Sequence, residues 1–228
     1  MRTSGAEAAP RFELDHLVVA ASSLAAGRDW CEATFGVSPQ AGGKHPSMAT
    51  HNLLLSLASP RFPRAYLEII AIDPEAPPPS RRRWYDLDEP LLQATIAEGP
   101  TLVHWVVRAA GLDAEAGWLR KQGHEVGDAI AAERQTAHGL LRWRITVPAD
   151  GRRPAAGAVP LLISWGDEHP SSSLADSGVV IEAVTLGGID EALARELGAT
   201  AGDRDAPPLV ATLVGPRGPV TLASPAAA

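Results

Sequence analysis

The chain has 228 residues, 45% hydrophobic and 21% charged, enough to bury a core in one compact unit or two joined modules. A formal net charge of −7 leaves no basic field for nucleic-acid backbones. A lone cysteine, Cys31, rules out an internal disulfide framework and any cysteine-rich metal cluster. No stretch reaches the ~20 apolar residues that cross a bilayer, and Met1–Arg11 lacks signal-peptide architecture, so a cytoplasmic protein without membrane partners is expected.

The first predicted element is the strand Leu14-Asp15-His16-Leu17-Val18-Val19-Ala20. It recurs as Leu102-Val103-His104-Trp105-Val106-Val107-Arg108, and more faintly as Val180-Ile181-Glu182-Ala183-Val184-Thr185-Leu186. A helix follows each copy. Ser22 or Ser23 caps the first, Leu24, Cys31 and Phe35 share its face, and Gly36 stops it. Cys31 in that stripe reads as a packing residue and not a nucleophile. Leu112, Ala116 and Leu119 form the second stripe, ended by Gly123; Ile189, Leu193 and Leu197 form the third, ended by Gly198.

Further strands are predicted near Asn52–Leu57 and Tyr66–Ile72 in the first unit. In the second they fall near Glu125–Ala131, Leu140–Val147 and Pro160–Trp165, and in the third near Leu209–Val214 and Val220–Leu222. The connection holding Pro77-Pro78-Pro79 and Arg81-Arg82-Arg83 reads as solvated linker closed by a short helix, Glu89–Ala97. His138-Gly139 reads as a hairpin turn, and Thr3–Pro10 and Ser224–Ala228 as frayed ends. The pattern predicts an α+β fold of tandem βαβββ modules, residues 12–75 and 100–170, forming a cupped sheet. Residues 178–224 form a partial third module packed on the others.

Strand alternation puts Leu14, His16, Val18 and Ala20 on one face, and Leu102, His104 and Val106 on the equivalent face of the second unit. A pseudo-twofold axis would bring the two histidines together. Glu68 lies mid-strand in Tyr66-Leu67-Glu68-Ile69-Ile70, where a buried carboxylate needs a metal or a partner such as Arg64 or Arg144. Two imidazoles and a carboxylate suit a divalent first-row ion, although a lone histidine on an apolar strand is more often a hydrogen-bonded core residue. Trp105, Trp143 and Trp165 either pack the core or floor the cavity.

These segments, together with Gly42-Gly43-Lys44-His45-Pro46-Ser47-Met48-Ala49-Thr50-His51-Asn52, Leu140–Arg144 and Pro160–Gly166 with His169-Pro170, resemble the glyoxalase / bleomycin-resistance / extradiol dioxygenase (vicinal oxygen chelate) superfamily, in its glyoxalase-like subgroup. The resemblance implies ligands from the first and last strands of each module, hence a metal site of His16, Glu68 and His104 holding Zn, Fe, Mn or Ni. The fourth position, expected to be a carboxylate, falls at Ile163 or Ser164, and serine is no base at neutral pH without an activating partner. His45, His51, Asn52, Ser164 and Trp165 are the candidate substrate contacts.

Three readings follow. One is a metal-dependent lyase, isomerase or dioxygenase acting on a small oxygenated molecule; the second is a metal-free protein that sequesters a small molecule in the same cup; the third is a structural or regulatory module with a vestigial pocket. No nucleotide cofactor is expected, because no phosphate-binding glycine loop is present. Neither a catalytic residue nor the choice between monomer and homodimer is assigned.

Overall fold

The computed structural model describes residues 10–136 and 139–226, so the turn expected at His138 lies outside the described residues. In chain order the first module is β1 (Phe12–Ala20), α1 (Leu24–Phe35), β2 (Gln40–His45), β3 (Thr50–Ser56) and β4 (Tyr66–Ile72). After α2 (Pro90–Glu98) comes the second: β5 (Thr101–Ala109), α3 (Leu112–Lys121), β6 (Asp128–Thr136), β7 (Gly139–Val147) and β8 (Leu161–Trp165). Their strands make one eight-stranded sheet in the order β2-β3-β4-β1-β5-β8-β7-β6. The modules join where β1 pairs antiparallel with β5, and in each module the first strand pairs parallel with the last.

The helix signals act where expected. Ser23 Oγ accepts the Ala26 N–H at 3.1 Å, and Gly36 ends α1 in the left-handed region at φ 75°. Leu112, Ala116 and Leu119 are the buried residues of α3. Among the described residues, no helix is long and apolar enough to cross a membrane.

A four-stranded sheet follows, built from β9 (Val180–Leu186), α4 (Glu191–Glu196), β10 (Thr200–Ala201), β11 (Leu209–Gly215) and β12 (Gly218–Ala223), in the order β10-β9-β11-β12. Here the first strand pairs antiparallel with β11, and the last strand lies at the edge. The wiring of residues 178–224 therefore differs from that of the two βαβββ modules. Ile181, Leu186, Leu209 and Leu213 pack into the same cluster as Leu17, Val19, Phe35 and Trp105. Ser224, expected to fray, is buried: its backbone N–H donates to Leu209 O at 2.8 Å and its hydroxyl accepts the Leu209 N–H at 3.0 Å.

Two bulges tune the central strands. The β1–β5 register slips between Leu14 and His16, and again between His104 and Leu102 on the facing strand. Leu14 thereby joins the helix-side core with Leu17 and Val19, leaving His16, Val18 and Ala20 on the opposite face, a correction to simple alternation. The repeat that equates His16 with His104 also equates Asp15 with Val103, so the two bulges occupy equivalent places.

The sheet curls until its edge strands nearly meet. A Cβ added to Gly43 on β2 would collide with the guanidinium Nη1 of Arg134 on β6. The cup is also filled from above. Trp84, Tyr85, Leu87, Leu92 and Ile96 of the inter-module connection are buried in one cluster with Val18, Val106, Trp143 and Ile163. This connection is pinned, not free linker. Arg83 pairs with Asp88 at 2.5 Å, Arg81 Nη2 donates to Pro148 O at 3.2 Å, and the Arg153 guanidinium holds Asp86 at 2.7 Å. Tyr85 and Asp86 take left-handed backbone conformations (φ 61° and 60°), which non-glycine residues keep only where surroundings enforce them.

Candidate active site

His16 and Glu68 meet on the concave face, with Nε2 and Oε2 3.6 Å apart. They sit on the paired strands β1 and β4, where Val18 lies beside Glu68 and His16 beside Tyr66. The Tyr66 ring stacks on the His16 imidazole at 4.7 Å. The bulge at Asp15 turns its carboxylate toward the same end, where His16 Nδ1 donates to Oδ1 at 2.6 Å.

Oδ2 of Asp15 accepts from Trp165 Nε1 and His169 Nε2, each at 3.0 Å, and faces Arg108 Nη1 at 3.4 Å. Burial works against the Asp15 charge, but hydrogen bonds from His16 and His169 outweigh it and hold the carboxyl well below the usual carboxylate range. An ionised Asp15 accepts from Nδ1 of His16 and so orients the ring with Nε2 toward Glu68.

Glu68 is held from the other side. Asn52 Nδ2 donates to Oε1 at 2.6 Å, and the Gly43 N–H, donating to Asn52 Oδ1 at 2.7 Å, fixes that amide's orientation. His45 lies 3.9 Å from Oε1, hydrogen-bonded to Thr50 Oγ1 at 3.1 Å. Burial pushes the His45 pKa down to about 4, leaving a neutral ring. Arg64 is exposed and Arg144 pairs with Asp113 at 2.9 Å; the guanidinium whose charge acts on this site is Arg134.

His104 does not join them. Its Nε2 accepts the Leu161 N–H at 3.2 Å, and its Nδ1 is buried without a partner among the described residues; the Tyr85 ring lies 5.3 Å away. Burial drives its pKa far down, so the ring is neutral. The set His16, Glu68 and His104 thus does not fit a divalent ion, since the third donor's lone pair is occupied by backbone. Among the described residues no group of three His, Cys, Asp or Glu side chains could hold a metal ion.

Register also moves the fourth position. Val106, equivalent to Val18, pairs with Leu161, so Leu161 and not Ile163 or Ser164 stands where Glu68 stands in the first module.

Of the other candidates, His45, Asn52 and Trp165 line a small cavity of about 30 Å³ with His16 and Glu68. His51 points to the other face, 3.9 Å from Asp73, and Ser164 lies off the cavity while its neighbours Ile163 and Trp165 line it. Trp143 lines the cavity, whereas Trp105 is core, its Nε1 donating to Ala158 O at 3.2 Å. Sequence reasoning missed Asp15, Tyr66, Trp84, Tyr85 and Arg134 in this site. A larger cavity of about 610 Å³ adjoins it, sharing Leu54, Arg134, Leu141 and Pro170.

Paired βαβββ modules wrapped around a polar cup define the vicinal oxygen chelate class. Residues 14–202 match the model of the glyoxalase-like domain, and the chain belongs to that family. A hypothetical protein from Staphylococcus aureus shares the fold with a TM-score of 0.55 at 13% identity, covering 94% of this chain and 86% of that one. Methylmalonyl-CoA epimerase from Mycobacterium tuberculosis aligns at TM-score 0.40 and 18% identity over 70% of this chain and 91% of its own. The Streptomyces coelicolor epimerase in complex with 2-nitronate-propionyl-CoA aligns at 0.42 and 17% over 69% and 96%. Likeness at these levels speaks to no more than the fold. No curated protein sequence matches the chain.

Proposed function

We propose that this protein is an acid–base enzyme, an isomerase or lyase that moves a proton on a small oxygenated molecule bound against Glu68. The observation that carries the reading is the array Asp15–His16–Glu68, with Nε2 of His16 directed at Oε2 of Glu68 across 3.6 Å. Asn52 fixes one Glu68 oxygen and leaves the other facing the cavity.

In this reading Glu68 takes a proton from a carbon next to a carbonyl. The C–H bond breaks, an O–H bond forms on Glu68, and the electron pair moves onto the carbonyl oxygen as an enolate. His16, hydrogen-bonded through Nδ1 to ionised Asp15, donates its Nε2–H to that oxygen, giving an enol; Glu68 then returns its proton to carbon while the enol O–H proton goes back to His16 Nε2, which restores both side chains. No step is assigned to a metal, because the predicted donors do not converge.

The test is deuterium incorporation from D2O into a panel of small carbonyl compounds, followed by NMR, with elemental analysis of the same protein. Exchange lost in Glu68→Gln and His16→Ala supports the reading. Exchange unchanged in Glu68→Gln overturns it, as does a stoichiometric divalent metal that disappears in His16→Ala.

A second reading, metal-free sequestration of a small molecule, is favoured by one observation: Trp84 and Tyr85 fill the cup, leaving about 30 Å³ beside Glu68. It expects tight ligand binding, retained in Glu68→Gln, and no exchange in the native protein.

A further inference from the structure

We infer that Arg134 is the anchor for the carboxylate of a small monocarboxylic acid, which enters through the larger cavity and lies with that carboxylate beside Glu68. The inference rests on the acid–base reading and names its substrate class.

Arg134 lies on the edge strand β6, and its Nε and Nη1 are buried without a hydrogen-bond partner among the described residues. Buried N–H groups of a charged guanidinium without acceptors are costly, and proteins keep them where a ligand or water completes the set. The other arginines near the cup are engaged: Arg108 with Glu13, Arg153 with Asp86, Arg83 with Asp88. The room for this side chain is built into the facing strand. Gly43 leaves a gap that even a methyl group would close on Arg134 Nη1, and Gly42 does the same for Asn52 Oδ1.

The position is as telling as the orphaned donors. Arg134 lines both the outer cavity of about 610 Å³ and the inner one of about 30 Å³, at their junction. Of the side chains around the outer space, Gln40, Gln135, Ser172 and Ser173 offer uncharged hydrogen-bonding groups. Volumes of several hundred Å³ are typical of small-molecule pockets. The outer cavity therefore takes the body of the ligand, and Arg134 takes its charged end.

Charge selects a carboxylate over a phosphate. Arg134 lines both cavities, with Glu68 in the lining of the inner one and Glu168 in that of the outer. A phosphate dianion would set twice the charge of a carboxylate against those two side chains, with the same Arg134 cation to offset it. A planar carboxylate also matches the planar donor geometry of arginine. With its carboxylate on Arg134, a 2-oxo acid presents its keto group and the C–H carbon beyond it to His16 and Glu68.

The test measures binding of 2-oxobutyrate, propionate and benzoate, of methyl 2-oxobutyrate, and of inorganic phosphate, by ligand-observed NMR and calorimetry. Native protein, Arg134→Gln, Arg134→Lys and Gly43→Ala are compared, and circular dichroism establishes that each variant folds. At least one carboxylate should bind, weakened at least ~10-fold by Arg134→Gln, less by Arg134→Lys, and also by Gly43→Ala, which keeps the charge but displaces it. The ester and phosphate should bind at least ~10-fold more weakly than the parent acid.

Binding of no carboxylate, equal binding to Arg134→Gln, or phosphate binding as tight as the acid's would each overturn the assignment. Deuterium exchange at C3 of 2-oxobutyrate, the carbon beside its keto group, is followed separately. Its absence with Arg134-dependent binding intact removes the acid–base reading and leaves the anchor; exchange that survives Arg134→Gln removes the anchor and leaves the acid–base reading.

Discussion

The two halves of the eight-stranded sheet share a backbone plan and differ at two positions that decide what their equivalent histidines do. His16 and His104 occupy equivalent places after equivalent bulges, yet Asp15 and Glu68 of the first half become Val103 and Leu161 in the second. His16 is therefore a directed group, with a carboxylate behind it and another in front. His104 is a core residue, satisfied by the Leu161 backbone N–H at 3.2 Å and shut in by Tyr85. The difference teaches that a repeated histidine does not by itself make a repeated site; its immediate partners decide whether the ring does chemistry or packing.

The sharpest way to break this comparison is Glu68→Gln, which removes the first half's proton acceptor while keeping its shape and the Asn52 contact. Proton exchange with a bound carbon acid should fall by about 10²–10⁴-fold, the usual contribution of a positioned base. The measurement is deuterium incorporation at saturating ligand, and a fall of less than ~10-fold places the base elsewhere.

Asp15→Asn comes next. The carboxylate accepts from His16, Trp165 and His169, all within 3.0 Å, and an amide presents one acceptor and a misplaced donor to them. Breaking a buried charge network of this kind costs about 3–5 kcal/mol of stability, and urea unfolding should read that loss. Exchange should fall as well, through loss of the hydrogen bond that orients His16. A destabilisation with exchange untouched would reduce Asp15 to a structural role.

His104→Leu should do the opposite. It orphans the Leu161 N–H but removes an unpaired Nδ1, so the net cost is about 1 kcal/mol. Exchange should stay within about twofold of native, the scatter expected from a residue that touches no reacting atom. A drop as large as that of His16→Ala would restore the symmetric site.

Much of this fold was legible because each module announces itself by a strand–helix couplet with clear stops, Gly36 and Gly123 among them. β2 was not, since Gln40-Ala41-Gly42-Gly43-Lys44-His45 has no strand-forming residues; its glycines serve the side chains of Asn52 and Arg134. His16, Glu68, Asn52 and His45 were legible as polar residues in or beside apolar strands. Asp15 carried the same signal as Glu68, a carboxylate inside an apolar strand, and was overlooked beside His16. Arg134 gave no signal, because it sits in a mostly polar edge strand, and only the curl of the sheet brings it to Gly43. The bulges were likewise invisible, and they decide that Leu14 leaves the concave face.

The smallest effect is a slope. Burial holds His45 at a pKa of about 4, against an ordinary value of 6.5, and pushes His104 well below that ordinary value too. Between those limits the unfolded chain takes up protons that the folded chain refuses, so stability falls as pH drops below 6.5 and is flat in these two groups above it. Asp15 works in the other window: its contribution is present above the ordinary value of 3.8 and is lost only below that, so it adds nothing to the slope between pH 6 and 5. Each histidine should contribute up to about 1.4 kcal/mol per pH unit there. His104→Leu should therefore lose stability less steeply than the native protein on acidification, although it is the less stable of the two at pH 7.5. Urea titrations at half-unit steps from pH 7.5 to 5 read both slopes. Parallel curves would mean that His104 accepts a proton in the folded state, and the contrast between the two halves would lose its electrostatic basis.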